Sequence, residues 1–217
     1  MRSSTCEILK DLIRRYPALG ACEAEINKAA ARLLKCFCEN GKLLVCGNGG
    51  SAADSEHIVG ELMKTFMLNR PLDEDMCKEL RSTYPEYAEQ MIQNLQRAVP
   101  AISLVSEIAL MTAYTNDNSA EMAFAQQVLS YGRPGDVLLA ISTSGNSANA
   151  LYAARIAKLI GVTVIGLTGD GGGKLMTLSD ICIRVPSDIT YQIQEYHLPV
   201  YHCLCACVEN ELFGVDA

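Results

Sequence analysis

The chain has 217 residues, of which 49% are hydrophobic and 20% charged, so it can bury a sizeable core and is too apolar for a disordered protein. A formal net charge of −7 excludes the broad basic face of a nucleic-acid binder, but not a local site for one phosphate. The length favours one α/β domain over residues 1–217.

Residues 4–40 carry helical periodicity, interrupted near Pro17 and Gly20. Ile8, Leu9, Leu12 and Ile13 form one apolar face; Ile26, Ala29, Ala30, Leu33, Leu34 and Phe37 form a second. Asn40-Gly41 stops this N-terminal helical segment of residues 1–40. Five short apolar runs then read as buried strands: 42–46, 101–104, 136–141, 162–167 and 181–185. Helical stretches at 51–65, 119–130 and 147–160 lie between them. Strands alternating with helices predict a mainly parallel five-stranded sheet in a three-layer α/β/α arrangement. Residues 69–99 break the alternation and read as an insertion, polar at its start, with a helix near 86–98. The end of the chain, from about Tyr191 to Phe213, reads as one long C-terminal helix.

Ten cysteines are present. Met1-Arg2-Ser3-Ser4-Thr5-Cys6 leads into a charged amphipathic segment and not a signal peptide, and no apolar run approaches the ~20 residues needed to span a bilayer. The expectation is a cytoplasmic protein with reduced thiols and no membrane partner. Cys36-x-Cys38 and Cys203-x-Cys205-x-Cys207 are either metal ligands or buried small hydrophobes; apolar neighbours and the lack of a CxxC pair favour the second.

Two segments share one layout. The first strand runs into Gly47-Asn48-Gly49-Gly50-Ser51-Ala52-Ala53-Asp54, and the third into Ser142-Thr143-Ser144-Gly145-Asn146-Ser147-Ala148-Asn149. Each turn opens a helix. Turns of this kind sit at the carboxyl ends of parallel strands, where ligands bind, and helix N-termini suit anions. Ser51 with Asp54, or Ser147 alone, would also serve as a plain helix cap. Two such turns in one sheet favour phosphate. Neither is a P-loop or a GxGxxG fingerprint, which counts against nucleotides.

The chain has three histidines. His57 lies six residues past Ser51, with Glu61 four residues further on the same helix face. His197 and His202 lie on the terminal helix near Gln194 and Glu195. His57, Glu61, Gln194 and His202 form a candidate divalent-metal set, Glu61 and His202 alternatively a general base and its acid partner. His197 reads as a satisfied core or surface residue. Ser51 to His57 and Glu61 covers roughly 9–15 Å of helix at ~1.5 Å per residue, the reach of a sugar phosphate whose carbonyl is remote from its phosphate.

At these residues the sequence resembles a known family. Cys46 to Asp54 with His57 and Glu61, Ile141 to Ser147, Leu167-Thr168-Gly169, Gly172-Gly173-Lys174-Leu175, Ile183-Arg184-Val185-Pro186 and Ile193-Gln194-Glu195-x-His197 with His202 are similar to the phosphoheptose isomerases of the sugar isomerase (SIS) superfamily. The resemblance covers about 40–66 and 101–213. It implies an SIS fold and isomerisation of sedoheptulose 7-phosphate to D-glycero-D-manno-heptose 7-phosphate through an enediol, for surface polysaccharide. It implies one zinc per subunit on His57, Glu61, Gln194 and His202, and Glu61 and His202 as catalytic pair. It places substrate contacts on Asn48, Gly49, Gly50, Ser51, Glu61, Asn116, Asp117, Ser142, Thr143, Ser144, Ser147 and Gln194, in a homotetramer with sites at subunit interfaces. Pro199 is expected to bend the terminal helix and displace His202. The rival readings are a non-catalytic SIS regulator resembling the DnaA initiator-associating protein, whose tail is similar to 203–213, and an isomerase or sensor for another sugar phosphate. The intact His57, Glu61, Gln194, His202 set favours an enzyme.

Overall fold

The computed structural model describes residues 1–214. Strands β1 (Leu43–Cys46), β2 (Ala101–Ser103), β3 (Val137–Ile141), β4 (Thr163–Gly169) and β5 (Ile181–Val185) form one all-parallel sheet in the order β2-β1-β3-β4-β5. All four residues of β1 and all five of β3 are buried, as expected of strands covered on both faces. Alternation sends their side chains into two cores. Leu43, Val45, Leu139 and Ile141 join one face, and Leu44, Cys46, Leu138 and Ala140 the other.

The first face is covered by α1 (Ser3–Arg15), α2 (Glu23–Cys38), α3 (Gly50–Met63) and α10 (Thr190–Phe213). The second is covered by α7 (Ala123–Tyr131), α8 (Ala148–Leu159) and α9 (Gly173–Leu178). The break expected near Pro17 is a 3-10 turn, Pro17–Cys22. Asn40 ends α2 in the left-handed region, φ 59°, and the Gly41 N–H closes on the Cys36 carbonyl.

The 69–99 stretch holds two helices, α4 (Glu74–Thr83) and α5 (Ala88–Asn94), joined by an Arg81–Glu89 ion pair of 2.7 Å. Only the second was expected. The first buries no residue, although Met76, Cys77 and Leu80 share one of its faces; Asp73 caps it by accepting the Met76 N–H. Helices α6 (Ile108–Asp117) and α9 were also not anticipated: α6 buries no residue, and α9 has six.

Pro199 lies inside the terminal helix and does not end it. Helix α10 runs through it as one element, although the proline forfeits one i→i−4 hydrogen bond. Cys36, Cys203, Cys205 and Cys207 are buried among apolar side chains, while Cys38 is exposed. Burial pushes the Cys46 and Cys205 thiols up to about 12. Among the described residues, no helix is long and apolar enough to cross a membrane.

His197 is buried as expected but poorly satisfied: no hydrogen bond of good geometry reaches its ring nitrogens, and the Thr168 backbone interacts with the imidazole only weakly. Burial pushes its imidazole down to about 4. The unfolded chain takes up a proton there from about pH 6.5 downward. Between those limits the unfolded state holds more protons, so stability falls as pH falls, by about 3 kcal/mol from this group. His197→Leu is expected to flatten that slope; a denaturant midpoint with unchanged pH dependence in the window would exclude the effect.

Candidate active site

The sheet order reverses at β1. Its neighbours are β2 on one side and β3 on the other, so the crevice at the carboxyl ends of β1 and β3 is the topological switch point. Both glycine and hydroxyl turns emerge there. The structure locks them together: Asn48 and Asn149 exchange two amide hydrogen bonds, each 2.9 Å. The Asn149 partner was not foreseen, since no local pattern marks it.

Neither turn is a plain cap. Helix α3 starts after Gly49, at φ 57°, with no side-chain cap. Ser51 is buried in its first turn, with its carbonyl accepting the Ser55 hydroxyl. Asp54 bonds away from the helix end, to Tyr201. Ser147 stands at the N-cap of α8, but its hydroxyl pairs with Ser142 at 2.9 Å. Neither helix end is capped by the residue before it, although the Ala150 N–H in the first turn of α8 donates to Asn149 Oδ1 at 2.9 Å; the N-terminal dipoles of both helices suit an anion. Ser144 and Asn146 are exposed beside them, and Thr143 is half-buried.

Gly50 carries a close approach. A Cβ there would lie 2.4 Å from the Gln194 amide nitrogen, so α10 rests its side chain directly on the first turn. Three residues of the predicted set meet about two turns further along both helices, at 3.6 residues per turn. His57 Nε2 lies 3.2 Å from Glu61 Oε1 and 3.5 Å from His202 Nε2. His202 is thus beside His57, not displaced from it. Phe66 packs on the His202 ring at 5.5 Å.

Glu61 also pairs with Lys64 at 2.7 Å. Burial pushes its carboxyl up, but Lys64 and His57 outweigh that and hold it below the ordinary glutamate range. Burial lowers the His202 imidazole, helped by His57 and Arg15 and opposed by Glu61. A carboxylate thus stands beside an imidazole biased toward neutral, the states a base and an acid/base partner need.

Among the described residues, no three His, Cys, Asp or Glu side chains are gathered so as to hold a metal ion. The pairwise spacings nevertheless fit one. Tetrahedral ligands 2.0–2.1 Å from zinc lie about 3.3 Å apart. The donors are two imidazole nitrogens and a carboxylate, which zinc accepts, and Gln194 is held by Gly50 rather than beside them. Asn116 and Asp117 are exposed at the end of α6 and bond to each other; the structure gives them no hydrogen bond to the other candidates. A cleft of ≈ 750 Å³ between α1 and α10 reaches His202 but neither turn. The turns, not that cleft, define the site, because they carry the paired anion-binding geometry.

The SIS domain profile matches residues 18–103 and 96–169. The phosphoheptose isomerase of Rhodospirillum rubrum is 40% identical over 207 residues, covering 95% of each chain. That of Akkermansia muciniphila is 37% identical over 199 residues, 92% of each. The solved phosphoheptose isomerase of Francisella tularensis superposes with a TM-score of 0.74 at 31% identity, over 97% of this chain and 100% of that one. The Neisseria gonorrhoeae structure gives 0.73 at 33%, over 93% and 94%.

The chain belongs to the SIS domain family, whose fold it carries. Within that family it falls in the phosphoheptose isomerase group, as an aldose-ketose isomerase acting on a sugar phosphate.

Proposed function

We propose that the chain converts sedoheptulose 7-phosphate to D-glycero-D-manno-heptose 7-phosphate, in the cytoplasm, for surface-polysaccharide heptose. The observation that carries this is the layout of the site. Two joined phosphate-type turns lie at one end, and Glu61 with His202 about two to three helical turns along, at ~1.5 Å per residue. A seven-carbon phosphate held at its C7 end presents C1 and C2 near that pair. Relatives named phosphoheptose isomerase support the same substrate.

The turns would hold the phosphate through backbone N–H groups and the hydroxyls of Ser142, Thr143, Ser144 and Ser147. Gln194, resting on Gly50, would orient the chain of hydroxyls. Glu61 takes the carbon-bound proton from one carbon and returns it to the neighbouring one through an enediol. His202 moves the proton between the two oxygens. His57, Glu61 and His202 would hold zinc, without the fourth donor expected at Gln194, which rests on Gly50 instead; when bound, the zinc would polarise the carbonyl and offset the enediolate charge.

Association into a tetramer is part of the proposal. Helix α6 carries Ile108, Ala109, Leu110 and Met111 yet buries no residue, with Ile108 72% exposed. An apolar helix without a buried face favours a partner surface.

The test is incubation of zinc-loaded protein with sedoheptulose 7-phosphate while aldose is followed. Turnover is expected. Zinc-replete, folded protein without turnover would remove the heptose assignment and favour a regulator or another sugar phosphate.

A further inference from the structure

Tyr201 is 1% exposed and lies on α10 between the two helices of the site. Its hydroxyl donates to Asp54 Oδ1 at 3.3 Å and meets His57 Nδ1 at 3.0 Å. Asp54 and His57 stand three residues apart on α3, so one phenol oxygen reaches both. Its ring meets His57 and His202 edge-on, with centroids 5.5 and 4.9 Å away. Asp54 Oδ2 is buried without a partner, which leaves Tyr201 as the side chain that holds this carboxylate.

Hydrogen counting decides the direction of these bonds. An ionised carboxylate only accepts, and a phenol has a single O–H. With that hydrogen on Asp54, the phenol oxygen can only accept from His57. His57 Nδ1 must therefore carry a proton. In the neutral ring this leaves the Nε2 lone pair on the side of His202 and Glu61, where a cation between Nε2 and the Glu61 carboxylate would satisfy both.

We propose that Asp54 and Tyr201 are positioning residues. They form a two-link relay that fixes His57 as the Nδ1–H tautomer and aims Nε2 as a donor into the site. The value of the relay to the enzyme rests on the reading of His57 as a zinc ligand; the tautomer itself does not. Outer partners of this kind are worth 10–100-fold in metal affinity where they have been removed.

The experiment is long-range proton–nitrogen NMR on metal-free protein at about pH 8, where an ordinary imidazole is neutral. The chain has only three histidines, and His57→Gln identifies the signals of His57. The expected spectrum shows His57 Nδ1 protonated. Tyr201→Phe keeps the ring and its packing but loses both bonds; it is expected to release the tautomer and weaken zinc binding 10–100-fold, read by chelator competition. Asp54→Asn offers an N–H that lets Tyr201 turn its hydrogen toward His57, so Nε2–H should grow. A bare Nδ1 in the unaltered protein overturns the relay, as does a Tyr201→Phe spectrum identical to the original. A protonated Nδ1 in a protein that binds no zinc supports the relay and removes the metal reading instead.

Discussion

Glu61→Gln is expected to lower kcat by about 10³–10⁴-fold while leaving sugar-phosphate binding within a few-fold, because proton transfer by a positioned carboxylate is worth up to about 10⁴. The amide has the shape of the carboxylate and can still face His57, but it cannot take a proton. The turns that grip the phosphate lie at the far end of α3 and keep their geometry. Loss of the Lys64 pair should barely affect folding, since the Lys64 side chain is 60% exposed and exposed pairs contribute little. Single-turnover isomerisation and phosphate-ligand binding, measured on the same sample, separate the two effects. A variant retaining more than a tenth of kcat would remove Glu61 as the base.

Glu209→Ala is expected to cost about 3–5 kcal/mol of folding stability, the usual result of orphaning a buried charge. Glu209 and Arg70 are 1% and 0% exposed, and pair at 2.7 Å. The same carboxylate accepts the backbone N–H groups of Phe66, Met67 and Leu68. Arg70 passes the restraint on, donating to the carbonyls of Leu62 at 2.7 Å and Glu61 at 3.1 Å, with its guanidinium 4.8 Å from the Phe213 ring centroid. Removing Glu209 leaves a buried guanidinium and three N–H groups without their acceptor. Against a typical total of 5–15 kcal/mol that loss is large, and at this chain length each kcal/mol moves Tm by about 2–4 °C. Thermal unfolding checks it; a loss below about 1 kcal/mol would mean that water or repacking replaces the pair. Replacing both partners by apolar residues, Arg70→Met with Glu209→Leu, should recover much of the loss, because no charge then stays buried.

The clamp also bears on the site. It ties down the C-terminal end of α3, where Glu61 sits, and the Phe66 segment that packs on His202. Neither Arg70 nor Glu209 carries a sequence signal of this role. They are 139 residues apart, and each alone reads as a surface charge.

Local patterns made much of the site readable. The turns at Gly47–Ser51 and Ser142–Ser147 follow buried strands, and the four-residue spacing of His57 and Glu61 puts them on one helix face whatever else the chain does. Helices α2 and α8 bury their apolar stripes against the sheet; α4 and α6 carry apolar residues too but bury none, and were not anticipated. The sequence by itself thus determined the sheet, the phosphate-type turns and the donor chemistry of the reacting residues, because each is written within a few consecutive residues. Tertiary structure alone decided which of these meet. Packing α3 against α10 on one face of the sheet puts His202 on His57 despite Pro199, rests Gln194 on Gly50, and closes the Asp54–Tyr201–His57 bonds across some 145 residues of chain. Such pairings depend on the angle and depth at which two helices pack, and no periodicity within either helix records that.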